Sequence, residues 1–530
     1  MACSKVFSGD LPELTDKIIQ YLRKDLSTLY SCILVNRLWC RLAIPILWED
    51  PFLIPNQHYR CIETYLCFLN EDRKAKFNEY GINDNLILSN TLFNYPSFIK
   101  YLDTYKVCHS ASKWVVTLLD ECNEKLENLV YRYLFEVLIE NEGNLHSFEV
   151  VLPTDIGHKY FNDNMDLILQ NPNFTCNISN LKLYISDDIS FRNNIIILLK
   201  FLSSNCNSIS SIFFKYFMHD FNNRSLIENC SSQIINSQHN LKKITFDFTF
   251  YNLLSLKNSN CLNTLNTIIF YYVDFKNLNN ILQEVFDQLN VLESIHLIYC
   301  YSLNSDFFEQ IIKVNKPFKL RSLFLDKILH IESLQLLLEK FCNCLENFGF
   351  GLISHEYNEP KRQLFKLIMK YCTKIRYFDS GILDDTNIYQ FIENNQHNIN
   401  YLTIEIDINS NALQNLGQVL PSKLEYLRLK FLFNTSDLEI FLKNSQNTFI
   451  KKLIIENIIS NKGENILFCI KEYIMKKERV KYLAIIFNDK LDNEIFYLKD
   501  EVNEFKLHNI IVKRFSELYI DTYSFVNDFK

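Results

Sequence analysis

The chain has 530 residues, of which 48% are hydrophobic and 22% are charged, the balance of an ordinary folded protein. It carries a formal net charge of −7 and contains only 9 glycines and 10 prolines. This composition excludes a largely disordered chain with long flexible linkers. The acidic balance also argues against nucleic acid as a partner, because proteins that bind it usually present a basic face.

The N-terminal sequence MACSKVFSGDLPELTDK lacks the apolar core of a signal peptide. No stretch of about 18 uncharged apolar residues occurs, so no membrane-spanning helix is expected. We therefore predict a cytoplasmic or nuclear protein without membrane contact. Its 16 cysteines are expected to stay reduced and to serve mostly as small core residues.

The first fifty residues predict three short helices. Pro12 suits the first turn of a helix, and apolar residues follow it at helical spacing. Asp25 or Ser27 can cap a second helix, and RLWCRLAI is typical of a third, which Pro45 is expected to stop. Three helices of this length bury little surface alone, so such a unit usually needs a partner or a neighbouring domain.

The same stretch resembles an F-box. The positions that carry the resemblance are Leu11, Pro12, Ile18, Leu22, Leu26, Val35, Arg37, Trp39, Leu47 and Trp48. The resemblance assigns residues 8–52 to an F-box, which implies docking onto the adaptor subunit of an SCF-type ubiquitin ligase and, through it, onto a cullin. The adaptor-binding residues of this interpretation are Leu11, Pro12, Ile18, Leu22, Leu26, Val35 and Leu38.

The alternative is a three-helix cap on a larger fold, with Trp39 and Trp48 as core residues. We favour the F-box because several independent positions agree. In either case both tryptophans can pack inward, against their own helices and against the next segment of the chain. Residues 53–140 show no clear repeat, and we interpret them as a helical connector or as degenerate first repeats, with Trp114 in the core.

Residues 141–530 contain a repeated six-residue signature, apolar-x-x-apolar-x-apolar. It begins at residues 145, 178, 209, 241, 265, 292, 320, 345, 375, 399, 424, 450, 480 and 507, the copy at 375 being weaker. Helical patterns such as SLQLLLEKFC lie between the copies. This period and signature are typical of leucine-rich repeats. They predict an α/β solenoid, irregular in its spacing, with parallel strands on the concave side and helices on the convex side. The near-constant step disfavours a set of unrelated strand–helix units.

Side chains alternate along a strand, so the positions that flank the third apolar residue of each signature should line the concave face. We predict that this face binds a protein substrate, because its mixture of aromatic, aliphatic and charged groups suits a protein surface. The predicted substrate-binding residues are Tyr271, His296, Phe324, Asp326, Thr403, Glu405 and Arg428. The alternative is that a C-terminal tail covers several of them.

The sequence contains no recognisable catalytic or metal-binding motif. Gly349 and Gly351 lack the Lys-Ser/Thr of a phosphate-binding loop and are better explained by close packing. Cys342 and Cys344 have no second cysteine pair at zinc-site spacing. We therefore expect no cofactor, no metal and no enzymatic activity.

An F-box followed by leucine-rich repeats resembles the F-box/LRR substrate receptors. The resemblance implies the substrate-recognition subunit of an SCF-type E3 ubiquitin ligase, in which a separate enzyme transfers ubiquitin to an unknown protein substrate. Two alternatives stay open. One is a non-catalytic scaffold that uses the F-box for assembly outside protein degradation. The other is an enzyme with a site between the connector and the repeats.

Overall fold

The structure is a computed structural model that describes residues 12–53, 61–82, 91–185, 192–216, 224–248, 251–276, 281–328, 330–351, 358–383, 387–406, 410–431, 435–457, 463–487 and 494–528. The chain divides into two compact units. The N-terminal unit comprises Met1–Ile244 and Leu254–Leu265, and the C-terminal unit comprises Thr245–Leu253 and Asn266–Lys530. Within each unit parallel strands alternate with helices, which confirms the α/β class.

The N-terminal unit contains strands β1 to β4, each pairing in parallel with the next. They are β1 Tyr101–Asp103, β2 Ser147–Val151, β3 Asn180–Ile185 and β4 Ser211–Tyr216; β5, Lys243–Asp247, contains the boundary between the units. The α-helices of this unit are α1 Pro12–Tyr21, α2 Leu26–Ile33, α3 Arg37–Leu47, α4 Cys61–Leu66, α5 Glu71–Ala75, α6 Thr104–Leu119, α7 Glu124–Glu140, α8 Asp155–Gln170, α9 Arg192–Asn205 and α10 Arg224–Ser237.

The C-terminal unit continues the pattern, and its strands also pair in parallel in chain order. They are β6 Thr267–Tyr271, β7 Ser294–Ile298, β8 Lys319–Leu325, β9 Asn347–Phe350, β10 Tyr377–Leu383, β11 Tyr401–Ile406, β12 Lys423–Phe431, β13 Phe449–Asn457, β14 Val480–Phe487 and β15 Ile511–Val512. The α-helices are α11 Ile281–Phe286, α12 Ser305–Lys313, α13 Ile331–Phe341, α14 Asn358–Tyr371, α15 Asn387–Asn394, α16 Ser410–Val419, α17 Thr435–Asn444, α18 Gly463–Ile470, α19 Lys499–Leu507, α20 Phe515–Leu518 and α21 Thr522–Asp528.

Short 3₁₀ and π turns complete the two units. The 3₁₀ turns are Leu22–Lys24, Lys76–Tyr80, Tyr95–Phe98, Pro172–Phe174, Tyr251–Asn258 and Ile495–Tyr497, and Lys471–Met475 is a π-helical turn.

Every predicted signature contains or overlaps a strand, from Ser147–Val151 to Ile511–Val512. The physical reason is visible in the register of the sheet. Leu402, Leu427, Leu453 and Leu483 pair side by side across four strands, and all are buried. Each of these repeats therefore adds one buried apolar residue to a continuous core. The chain is an α/β repeat protein of the leucine-rich type.

The three predicted N-terminal helices are present. Asp25 accepts a hydrogen bond from the backbone N–H of Thr28 and caps α2, and Asn36 caps α3 through the N–H of Trp39. The expectation that Pro45 stops the third helix was wrong, because α3 continues to Leu47. Proline removes one backbone donor, but the next turn still closes through the bond from Trp48 N to Ile44 O at 3.1 Å.

Both tryptophans of this region pack inward. Trp39 is buried in a core with Ile19 and Leu29. The ring centroid of Trp48 lies 5.5 Å from that of Tyr65 and 4.3 Å from that of Tyr95, so it joins the three helices to the next segment of the chain.

Residues 53–140 contain helices α4 to α7 and strand β1, which pairs in parallel with β2. Trp114 is buried as predicted, and its indole N–H donates to Glu63 at 3.3 Å. The boundaries 8–52, 53–140 and 141–530 stay predictions. No helix among the described residues is both long and apolar enough to cross a membrane.

Candidate functional site

The three N-terminal helices present an apolar surface to solvent. Tyr21 is 90% exposed and Leu34 is 86% exposed, and Leu14, Ile18 and Val35 are also exposed. We call these five residues the helix patch. Exposed apolar surface of this kind on a small helical unit is typical of a docking site for another protein.

The predicted adaptor-binding residues divide by burial. Pro12, Ile18 and Val35 are exposed, whereas Leu22, Leu26 and Leu38 are half-buried, and Leu11 lies outside the described residues. Leu22 and Leu26 pack against the core of the three helices. Leu14, Tyr21 and Leu34 are exposed in the helix patch but are not among the predicted adaptor-binding residues. The sequence features that could have identified them are the strongly amphipathic pattern of α1 and the position of Leu34 directly after α2.

A 130 Å³ notch lies beside α2 and α3 in the same unit. Its lining consists of Leu26, Tyr30, Leu47, Trp48, Asp50, Pro51, Leu53 and Cys61. Tyr30 and Leu53 are exposed at this notch. It has the size of a single apolar side chain from a partner.

In the C-terminal unit, the predicted outward positions line up across neighbouring strands. Thr403 pairs with Arg428, which pairs with Ile454, and Glu405 pairs with Lys430. The sequence therefore identified which residues of each strand share a side. We call this side of β6 to β14 the strand face.

The strand face is partly covered by residues 513–528, which we call the C-terminal tail. Its first anchor is Leu518, which is buried in a cluster with Tyr426, Ile454 and Ala484. The guanidinium carbon of Arg428 lies 4.9 Å from the ring centroid of Tyr519. This end of the tail is thus held by apolar burial and by a cation–π contact.

The second anchor is aromatic. The ring centroid of Phe525 lies 4.5 Å from that of Tyr377 and 4.7 Å from that of Tyr401. Tyr523 stacks on Tyr271 at 5.1 Å. These contacts bury part of the predicted substrate surface under the chain's own C-terminal segment, which is the alternative that the sequence left open.

Between the two anchors the tail spans a cavity of about 490 Å³. Its lining consists of Tyr271, Tyr272, Tyr299, Tyr301, Asp326, Lys327, Phe350, Gly351, Tyr377, Asp379, Gly381, Glu405, Arg428, Lys430, Tyr519, Ile520, Asp521 and Thr522. We call it the tail cavity. One edge of its roof is fixed where the hydroxyl oxygens of Tyr299 and Thr522 lie 3.0 Å apart.

Four of the seven predicted substrate-binding residues meet at the tail cavity, namely Tyr271, Asp326, Glu405 and Arg428. The other three do not line it. Phe324 and Thr403 are buried, and so is His296, whose Nδ1 lies 2.7 Å from the hydroxyl oxygen of Ser322.

The charged groups at the cavity are partly paired. Lys430 contacts Glu405 at 2.8 Å, and Arg428 makes a two-pronged contact with Glu456, one arm of which is 3.2 Å long. Burial raises the pKa of Asp326 and that of Asp379 from 3.8 to about 6, although Lys327 opposes the shift at Asp326 and the Gly381 N–H opposes it at Asp379. Neither carboxylate is therefore fully compensated.

Tyr272 and Tyr299 were not predicted as site residues. Each directly follows a strand and has a left-handed backbone, with φ of 52° and 53°. Their signal was the aromatic residue that follows the apolar signature in successive repeats. The tail residues Tyr519 and Thr522 had no comparable signal from the repeat pattern.

No group of three or more histidine, cysteine or acidic side chains among the described residues has the arrangement of a metal site. No family model matches the chain, and no curated protein matches it. Among solved structures, a chain from the yeast complex of Rad7 and Elc1 is similar, with 13% identity and a TM-score of 0.37. The match covers 68% of this chain and 89% of that chain.

Proposed function

We propose that the protein is the substrate-recognition subunit of an SCF-type E3 ubiquitin ligase. The three N-terminal helices act as an F-box that docks an adaptor subunit and, through it, a cullin, while the repeats bind a protein substrate. The observation that carries the proposal is the helix patch, whose large apolar residues are exposed within the stretch that resembles an F-box.

The chain performs no chemical step in this proposal. It raises the local concentration of a substrate lysine near a conjugating enzyme that carries ubiquitin, which is catalysis by proximity. Such a role needs neither an acid–base pair nor a metal, and it places the protein in the cytoplasm or the nucleus.

The substrate surface in this proposal combines the strand face with the C-terminal tail. Tyr519 remains 41% exposed although its ring contacts Arg428. A substrate that approaches the cavity therefore meets tail residues together with strand residues such as Asp326 and Lys430.

The first test is adaptor binding by a variant in which the helix patch is charged, Tyr21→Asp with Leu34→Asp. Because both side chains are exposed, the variant should fold normally. We expect roughly 30-fold weaker binding to a purified adaptor–cullin pair, since central apolar contacts at interfaces contribute about 2 kcal/mol or more. The matched control is Ile156→Asp, which charges an exposed residue of α8 in the same unit.

Equal binding by the native chain and the helix-patch variant, or no binding by either, would refute the F-box interpretation. The scaffold alternative is tested separately by measuring the half-lives of proteins captured by the chain in cells. Adaptor binding without any change in these half-lives when the helix patch is mutated would favour a scaffold over a degradation receptor.

A further inference from the structure

The tail cavity has an aromatic wall made by three tyrosines. The ring centroid of Tyr272 lies 5.5 Å from that of Tyr299 and 6.2 Å from that of Tyr301. Tyr272 and Tyr299 hold left-handed backbone conformations that place them at the ends of β6 and β7. Aromatic walls of this kind offer apolar surface to an alkyl chain, and the electron-rich faces of the rings also favour a cation beside it.

The floor of the cavity depends on glycine. A Cβ atom added to Gly351 would lie 1.8 Å from Oδ1 of Asp326 and 3.1 Å from the ring of Tyr299. The carboxylate of Asp326 therefore lies directly against the Gly351 backbone, beside the aromatic wall. Any larger residue at this position would displace it.

The charges around the cavity do not cancel. Glu405 and Glu456 neutralise Lys430 and Arg428, respectively. Within the described part of the chain, Asp326 has no hydrogen bond and no ion pair, and the exposed Lys327 offsets only part of the effect of burial on its pKa. Asp379 accepts one hydrogen bond, from the N–H of Gly381 at 3.1 Å. A half-buried carboxylate without a partner is costly, and a bound cation would compensate for that cost.

We propose that the tail cavity binds an alkylammonium group. The ammonium donates to the carboxylate of Asp326, and the alkyl chain packs against the rings of Tyr272 and Tyr299. The volume of about 490 Å³ admits a short aliphatic amine or the side chain of a lysine. This inference stands independently of the proposed ligase function, since it concerns only the chemistry of the cavity.

The test uses the purified full chain and isothermal titration with n-butylammonium, with n-butanol as the neutral probe of similar shape. We expect saturable binding of the amine and at least tenfold weaker binding of the alcohol. Asp326→Asn keeps the shape of the side chain and should weaken amine binding at least tenfold. The control, Asp500→Asn, removes an exposed carboxylate of α19 and should leave binding unchanged.

A second titration separates the two sources of the amine. Binding of a blocked Gly-Lys-Gly peptide at an affinity similar to that of n-butylammonium would assign the cavity to a lysine side chain of a partner protein. Binding of n-butylammonium alone would assign it to a free amine. Equal binding of alcohol and amine, full affinity in the Asp326→Asn variant, or no binding of any probe would overturn the proposal.

Discussion

The C-terminal tail should detach from the strand face when its aromatic anchor is removed by Phe525→Ala. Phe525 is only 4% exposed and contacts the rings of both Tyr377 and Tyr401. A buried phenylalanine covers roughly 150 Å² of apolar surface, which at about 25 cal/mol per Å² gives roughly 4 kcal/mol. Measured costs of Phe→Ala in cores, about 3 to 5 kcal/mol, agree with this figure.

This cost should appear as local opening, because residues 513–528 form no strand of the sheet and can leave it without unfolding the repeats. At about 1.4 kcal/mol per factor of ten, a loss of 3 to 4 kcal/mol increases the opening constant by roughly 150- to 700-fold. The free energy that docks the tail sets an upper limit to this increase. Once the substitution has removed all of that free energy, the tail amides exchange as they would in a free segment.

Native-state hydrogen exchange measures this opening directly. The N–H of Tyr519 donates to Phe515 O at 2.8 Å, and the N–H of Phe525 donates to Asp521 O at 2.9 Å. Both amides should lose protection in the variant, while amides of β12 and β13 keep theirs. Leu507→Ala, at a residue that is 83% exposed in α19, is the control and should change nothing. Unchanged protection of the tail would refute the reasoning, and so would an equal loss throughout the strands.

Two further predictions concern the charged groups. Because the folded pKa values of Asp326 and Asp379, about 6, exceed the unfolded value of 3.8, the folded state binds more protons than the unfolded state. The stability that these two groups contribute should be fully present below pH 3.8 and should decline as the pH rises through 6, by at most about 3 kcal/mol for each group and by less where solvent screens it. In urea denaturation between pH 4 and 8, the Asp326→Asn/Asp379→Asn variant should therefore lose less stability with rising pH than the native chain. An equally steep decline in the variant would contradict this prediction. At the half-buried pair of Arg428 and Glu456, Arg428→Met should cost roughly 3 kcal/mol by leaving Glu456 unpaired, and adding Glu456→Leu should restore most of the loss. Additive losses in this double-mutant cycle would show that the two charges act independently.

The strands could be predicted from sequence because their signal is local and repeated. Each signature supplies the same inward apolar positions, and the register of β11 to β14 places these leucines side by side. The side of the strand that faces away from this core follows from simple alternation, so Arg428 and Glu405 were identified correctly as neighbours of the same face.

The tail could not be located in the same way, because its contacts join residues that are distant in the chain. Tyr299 and Thr522 are 223 positions apart, and no periodic pattern relates them. The tail does contain Phe515, Tyr519 and Tyr523 at intervals of four residues, which indicates a segment with apolar contacts to make. That pattern does not specify the surface on which these rings pack. For the same reason, the cavity beneath the tail could not be predicted.

One side of the tail cavity can be traced to a single position of the repeat, the residue that directly follows each strand. From β5 to β9 this residue is Phe248, Tyr272, Tyr299, Asp326 and Gly351 in turn. The first three have left-handed backbones, and their rings contact one another in succession, with centroids 5.4 and 5.5 Å apart. In the next two repeats this position holds no aromatic ring, because it is occupied by Asp326 and then by Gly351. The loss of these two rings opens the part of the cavity beside Tyr299 and Asp326, while residues of β10 to β12 such as Asp379 and Lys430 line the rest. A simple packing defect would leave an apolar void, whereas this one carries Asp326 at its edge, and that difference favours a binding site over a gap in the core.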